Sequence, residues 1–331
     1  MRILVAGGAG FIGSHLVRRL LGQGHEVLCV DNLLTGRRRN IAALEDVPGF
    51  AFVEADIIEG LPDLGHIDRI YHLASPASPP GYATHPVATM RVNSEGTRHL
   101  LEAAQHHGAR FLYTSTSEAY GDPLEHPQRE TYRGNVSSTG PRSMYDEAKR
   151  YGEALTMTFV RSCGVDGRIV RIFNTYGPMS DPEDGRLVPN FITQALAGQP
   201  LTVYGDGQQT RSLCYVSDLV EGLLLAMETP GTCGELMNLG NPEEHTVLEF
   251  ATRIRDLAAS TSSVEFAGDG VGDDPRRRQP DITRARQLLG WEPVVGLESG
   301  LLRTIEYFRS EALAPRAVAT PQPSFHAPAL R

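Results

Sequence analysis

The sequence predicts an α/β fold, a doubly wound parallel sheet with a smaller C-terminal α/β lobe, on three observations. Short apolar runs alternate with amphipathic stretches through the first half of the 331 residues. A glycine-rich turn joins the first apolar run to the first amphipathic stretch, and the alternation loosens after Asn174. Strand–helix alternation at this spacing implies parallel pairing with right-handed crossovers. Strands are predicted at Arg2–Ala6, Glu26–Val30, Ala51–Glu54, Ile67–Leu73, Arg110–Ser115 and Gly167–Ile172, with helices at Ile12–Gln23, Val87–His107 and Ser143–Cys163. Beyond Asn174, helices are expected at Pro189–Ala197, Ser217–Met227 and Val247–Ala259, and strands at Leu201–Tyr204 and Glu235–Leu239. Residues 1–175 are therefore read as a nucleotide-binding domain, to which the chain returns at about 207–240. Residues 176–206 and 241–309 form the lobe, and 310–331, rich in Ala and Pro without periodicity, a mobile tail.

A formal net charge of −9 argues against a general nucleic-acid binder, which presents a basic face. Polyanionic ligands would have to be held by a few placed arginines. The four cysteines are scattered with no CxxC pair, so neither a metal site nor a disulfide framework is expected. No stretch reaches the roughly 18 apolar residues of a membrane span. The first strand follows the opening Met directly, without the parts of a signal peptide, and a cytoplasmic protein is expected.

Gly7, Gly10 and Gly13 stand between the first strand and the first helix. In the Rossmann arrangement such glycines permit a tight turn, close approach to a pyrophosphate and close helix packing, while the helix N-terminus offers free N–H groups to the anion. Phe11 and Ile12 lie in the same turn. Asp31 ends the second strand, about 18 residues past Gly13, where a carboxylate can bond an adenosine ribose and repel a 2′-phosphate. NAD is thus favoured over NADP, although Arg37–Arg39 stand close behind in DNLLTGRRRN. Asn32, Thr35 and Gly36 belong to the same loop. Asp56 and Ile57, after the third strand, are expected near the adenine, and Leu73, Ala74 and Ser75 along the nicotinamide ribose, with Thr114 beyond.

Tyr145 and Lys149, four apart at the start of a helix, share one face. A phenol is a poor base at its reference pKa near 10, but a neighbouring ammonium and a bound nicotinamide cation favour the phenolate. Such a phenolate can take a proton from a sugar hydroxyl as hydride leaves the same carbon. The pair follows a strand ending in Thr114-Ser115-Thr116-Ser117-Glu118, where a hydroxyl can bond the reacting alcohol.

GxxGxxG, the Ser/Thr strand end and YxxxK together resemble the extended short-chain dehydrogenase/reductase superfamily. More closely, HLASPASPPGY, TSEAYGDP, YDEAKR, RIFNTYGP, DGRLVPNFI, LTVYGDGQQTRSLCYVSDLVEG and DDPRRRQPDI resemble the UDP-glucuronic acid decarboxylase (UDP-xylose synthase) family, from Arg2 to about Phe308. The resemblance implies a Rossmann domain with a substrate lobe, NAD as cofactor, a UDP-sugar substrate and a homodimer built on the two long helices. It implies that Thr116 bonds the sugar near its 4-hydroxyl, Tyr145 is the base, Lys149 holds the cofactor ribose and tunes Tyr145, and Glu118 lies beside the reacting carbons. For substrate it implies Ser78, Arg91, Asn174, Arg186, Val188, Tyr204 and Arg211, and Arg278 within Arg276–Arg278. The chain departs from the family pattern at Met144 and Ala148 (commonly CYDEGKR), at Ser137-Ser138 before GPR (commonly NPxGPR), and at Met179-Ser180 (commonly Arg-Met).

The implied chemistry is oxidation, decarboxylation and reduction. Oxidation at C4 of UDP-glucuronate leaves the carboxylate β to a ketone, so carbon dioxide can leave, and the returned hydride gives UDP-xylose. Ser117-Glu118 stands where a 4,6-dehydratase commonly has Asp-Glu and a plain 4-epimerase has no Glu. The alternatives are a UDP-glucuronate 4-epimerase and a decarboxylase that releases the UDP-4-keto-pentose.

Overall fold

The computed structural model describes residues 1–268 and 277–313. In chain order its first half runs β1 (Arg2–Ala6), α1 (Phe11–Gly22), β2 (Glu26–Asp31), β3 (Phe50–Glu54), β4 (Arg69–His72), α2 (Pro79–Thr84), α3 (Pro86–Arg91), α4 (Thr97–His107), β5 (Arg110–Thr116), α5 (Ser143–Cys163) and β6 (Gly167–Ile172). There follow β7 (Thr175–Tyr176), α6 (Leu187–Leu196), β8 (Leu201–Tyr204), β9 (Thr210–Ser212), β10 (Cys214–Tyr215), α7 (Val216–Glu228), β11 (Leu236–Leu239), β12 (Glu244–Thr246), α8 (Val247–Leu257), β13 (Val264–Ala267), α9 (Thr283–Leu289) and α10 (Leu297–Leu313).

Seven strands form one sheet in the order β11-β6-β5-β4-β1-β2-β3, every pair parallel. This is the doubly wound fold the alternation predicts. A parallel strand covered on both faces must be apolar throughout, and β1 (RILVA) is buried from Ile3 to Ala6. Each fully buried aliphatic side chain of this kind contributes about 1.5–3 kcal/mol. Strand order reverses between β1 and β4, and ligands of open α/β sheets bind outside the carboxyl ends at such a point.

The helix expected over 87–107 is interrupted. Val92–Gly96 forms a wide π turn between α3 and α4. Thr97 Oγ1 donates to the Asn93 carbonyl (2.9 Å) and Asn93 Nδ2 to the Thr89 carbonyl (2.8 Å). Side-chain bonds of this kind compete with the main-chain ladder, and the turn brings Asn93 to Ser75 and Tyr113 (both 2.9 Å).

After β6 the chain leaves the sheet and returns. Short pairs β7·β10, β9·β12 and β8·β13 lie outside it, while β11 adds its last strand. One apolar cluster runs from Val5 and Leu16 through Leu223 of α7 to Phe191 of α6, Phe250 of α8 and Ile305 of α10, so both halves share a core. Helix α10 continues to Leu313, past the expected start of the tail at 310, because its apolar positions Leu301, Ile305 and Phe308 dock on that cluster. The remainder of the tail, 314–331, lies outside the described residues, as does Arg276.

Candidate active site

The turn after β1 opens onto a cleft at the switch point. Gly7, Gly10, Asp31, Asn32, Thr35 and Gly36 line it, together with Asp56, Ile57, Leu73, Ala74 and Ser75. Gly7 has φ +82°, and a Cβ there would stand 2.6 Å from Ala74 N; one on Gly13 would stand 2.1 Å from the Gly7 carbonyl oxygen. The loop therefore closes on glycines and leaves its main chain open to a ligand. Phe11 and Ile12 begin α1, half-buried behind it. Overpacking at such a contact costs about 1–3 kcal/mol. Gly13→Ala is accordingly expected to weaken binding of the reduced dinucleotide at least about tenfold, read by its fluorescence on titration.

Asp31 is buried at the end of β2, and its carboxylate accepts from Ala9 N (3.0 Å) and Leu33 N (2.9 Å). Burial pushes its carboxyl up, and those two bonds offset part of the rise. Asn32 Nδ2 donates to Asp56 (3.0 Å), which also caps the turn after β3. The neighbouring basic triplet is engaged with carboxylates: Arg37 pairs with Asp181, Arg38 with Glu45 (2.9 Å) and Arg39 with Glu311 (3.2 Å). These residues fit an adenosine ribose without a 2′-phosphate, since the carboxylate faces the cleft and each of the three guanidiniums already has a counter-charge.

The second constellation stands at the C-terminal end of β5. Thr114 Oγ1 donates to the His72 carbonyl (2.8 Å), tying β5 to β4, and its own carbonyl accepts from Lys149 Nζ (2.9 Å). Thr116 caps the following turn by accepting from Glu118 N (3.2 Å), and its hydroxyl also hydrogen-bonds Tyr145. Burial pushes the Tyr145 phenol up to about 12; the Thr116 hydroxyl and then the Arg186 guanidinium are the main groups opposing the rise. Burial depresses Lys149 to about 7, and its ammonium is aimed at the β5 main chain.

Glu118 is the hub. Its carboxylate is gripped by both Nη atoms of Arg278 (Nη2 at 2.9 Å) and by Arg142. Burial alone would push this carboxyl up; Arg278 and Arg142, with Arg211 beyond them, overcome that and hold it below the usual range. Arg211 itself is buried on β9 and donates to the Thr210 carbonyl (2.8 Å). Arg186, at the N-terminus of α6, donates to the Ala77 carbonyl (2.7 Å) and so draws the loop before α6 onto the segment that holds Ser78, the N-cap of α2.

Some expected residues stand apart. Arg91 is on the outer face of α3, ion-paired with Glu95 (2.8 Å) and Glu59 (3.3 Å), because its i,i+4 partner and the turn after β3 compete for it. Val188 is buried in the lobe's core, Tyr204 is exposed at the end of β8, and the Asn174 carbonyl accepts from Cys214 N (2.9 Å). Two residues at the centre escaped the sequence reading. Arg142 precedes Tyr145 by three in PRSMY, the spacing that shares a helix face, and Tyr82 stacks on Tyr145 (centroids 4.9 Å, planes 15° apart). The first had a local signal; the second, 63 residues away in sequence, had none.

Residues 3–240 match the model of the NAD dependent epimerase/dehydratase family. The chain is 52% identical over 310 residues to UDP-glucuronic acid decarboxylase 1 of Danio rerio, covering 94% of this chain and 73% of that protein. It is 49% identical to UDP-glucuronic acid decarboxylase 3 of Arabidopsis thaliana, covering 96% and 91%. Among solved structures it is similar to a UDP-glucose 4-epimerase of Thermotoga maritima with UDP-glucose (TM-score 0.86, 33% identity, 94% of this chain and 100% of that one). It is also similar to a UDP-glucuronic acid 4-epimerase of Bacillus cereus in complex with UDP-glucuronic acid and NAD (TM-score 0.84, 31% identity, the same coverage).

Proposed function

The chain belongs to the NAD-dependent epimerase/dehydratase family and, within it, to the UDP-glucuronic acid decarboxylases; on that footing we propose that it converts UDP-glucuronate to UDP-xylose and carbon dioxide through a 4-keto intermediate. The observation that carries the chemistry is Glu118 held between Arg278 and Arg142, beside the Thr116–Tyr145 hydrogen bond. NAD held in the glycine-loop cleft supplies the acceptor for the C4 hydride and the donor that returns it. Gly7, Gly10 and Gly13 would admit its pyrophosphate, Asp31 its adenosine ribose and Ser75 with Lys149 its nicotinamide half.

Tyr145, once ionised, takes the 4-hydroxyl proton, and Thr116 holds hydroxyl and phenol in line. The site's own groups leave Tyr145 protonated near neutrality, so bound ligands must favour its ionisation. Tyr82 covers the phenol ring and limits water there. With the ketone at C4, the C5–C6 bond breaks, carbon dioxide leaves, and the electron pair flows into the C4 carbonyl. Arg278 and Arg142, charged and rigidly held by Glu118, offset the negative charge that passes from carboxylate to enolate. Protonation at C5 regenerates the ketone, and Tyr145 returns its proton to C4 oxygen as the alcohol re-forms. By resemblance, Asn174 is assigned to the diphosphate and Arg186 and Arg211 to the nucleotide portion, with Ser78 on the segment that Arg186 draws in.

The same reading takes residues 1–175 and 207–240 as the cofactor domain and the segments between and after them as the substrate lobe. It makes the protein a cytoplasmic homodimer joined through the faces of α3 and α5, where Val87, Met90 and Tyr151 are exposed. No helix among the described residues is long and apolar enough to cross a membrane. The test is product identification by mass and proton NMR after incubation with UDP-glucuronate and NAD. UDP-xylose, lighter by one carbon dioxide, is expected; UDP-galacturonate of unchanged mass would make the protein an epimerase.

A further inference from the structure

Behind the active site lies a buried ion pair with no part in the chemistry above. Glu153, one turn beyond Lys149 on α5, meets Arg171 of β6 in a two-pronged contact (Nε–Oε1 2.8 Å, Nη2–Oε2 2.7 Å). Both are largely buried, the side chains 13% and 7% exposed. Ser115 Oγ of β5 donates to the same carboxylate (2.5 Å). Ser115 stands between Thr114, whose carbonyl receives Lys149, and Thr116, which bonds Tyr145. The Arg171 guanidinium also lies over the Tyr120 ring (4.5 Å), in the short turn that carries Glu118. Tyr120 in turn donates to Asn238 (2.8 Å), and Asn238 Nδ2 to the carbonyls of Gln128 and Asp281 (both 3.1 Å). Gln128 is paired through its main chain with the segment that bears Arg278.

Stability alone does not account for this pair. A buried ion pair gains little over well-packed apolar side chains unless every polar atom is satisfied, and Arg171 Nη1 makes no hydrogen bond among the described residues. Its geometry is what stands out: one carboxylate touches the helix, the strand end and, through Arg171, the turn. These are the three elements that deliver Tyr145, Thr116 and Glu118.

We propose that Glu153 and Arg171 are positioning residues that fix the register of α5 against the end of β5 and the Glu118 turn, and so set the Tyr145–Thr116 and Glu118–Arg278 contacts for the reaction. This rests on the reading of Tyr145 as base. Neither residue touches the reacting atoms; both act by holding groups that do. Misplacing a catalytic group by about 1 Å can cost about a hundredfold in rate.

The test is the double variant Glu153→Met with Arg171→Met, which removes both charges and leaves neither buried alone. We expect its melting temperature, KM for UDP-glucuronate and affinity for the dinucleotide to stay close to those of the parent. Its kcat should fall about 10- to 100-fold, with the deuterium isotope effect of the C4–H bond on kcat rising as chemistry becomes slowest. Unchanged kcat overturns the proposal, and so does a loss matched by equal losses in KM, cofactor affinity and melting temperature. If the double variant does not fold, Ser115→Ala decides, since it cuts only the strand–helix tether; a several-fold fall in kcat at constant KM supports the proposal and full activity overturns it. The parent and Tyr145→Phe are run alongside. A parent inactive on UDP-glucuronate, or an active Tyr145→Phe, sinks the reading of the site itself, a result separate from any outcome of the double variant.

Discussion

Tyr145→Phe is expected to lower turnover of UDP-glucuronate by about 10²- to 10⁴-fold, the usual contribution of a positioned acid–base group, while dinucleotide binding stays unchanged. The phenylalanine ring keeps the stack on Tyr82 and the buried packing, so the fold has no reason to change. What is lost is the oxygen that shares a hydrogen bond with Thr116 and exchanges a proton with the substrate. Because burial holds the free-site phenol at about 12, activity should rise with pH through the ionisation of this group as the ligands perturb it. That rising limb should disappear in the variant. Single-turnover assays over pH, with cofactor affinity measured separately, read both effects; a variant that turns over at the parental rate would remove Tyr145 from the mechanism.

Glu118→Gln should have a comparably large effect, on stability as well as on rate. Removing one charge from a buried, hydrogen-bonded cluster costs about 3–5 kcal/mol, because the partners stay behind without a counter-charge. Here the abandoned groups are Arg278, 5% exposed, and Arg142. The loss is read as a fall in the denaturant midpoint, and kcat should fall with it as both guanidiniums drift from the reacting carbons. The pH dependence follows from the depressed carboxyl. In the parent the Glu118 contribution is complete above the ordinary carboxyl value of 4.5 and is lost as pH falls through the lower folded value. Acid should therefore erode parental stability over that window more steeply than that of the variant. Equal acid sensitivity would mean that the two arginines do not hold this carboxylate charged.

What the sequence made legible, and what it did not, divides along the range of the contacts. Gly7, Gly10 and Gly13 and the Tyr145–Lys149 pair act within one turn or one helix, so their spacing alone carries the geometry. The parallel sheet was readable because a strand buried on both faces has to be a continuous apolar run, as in Arg2–Ala6. The grip of Arg278 on Glu118 spans 160 residues and the stack of Tyr82 on Tyr145 spans 63, and no periodicity reports such contacts. The pairs β7·β10 and β9·β12 involve strands of two or three residues, too short to show alternation. The π turn at Val92–Gly96 was hidden for another reason: its cause is the side-chain bonds of Asn93 and Thr97, which leave the apolar period of the flanking helices intact. Arg91 was assigned to the substrate by resemblance, whereas local acidic neighbours claim it here.

The most direct test of the central claim is to follow UDP-glucuronate carrying deuterium at C4 with unlabelled NAD, by NMR of the sugar and absorbance of the reduced cofactor. The account predicts carbon dioxide release and UDP-xylose that keeps its deuterium at C4, with no lasting reduced cofactor, since the same hydride leaves and returns. UDP-galacturonate with its carboxylate intact, or a keto pentose released with one reduced cofactor per turnover, would contradict it.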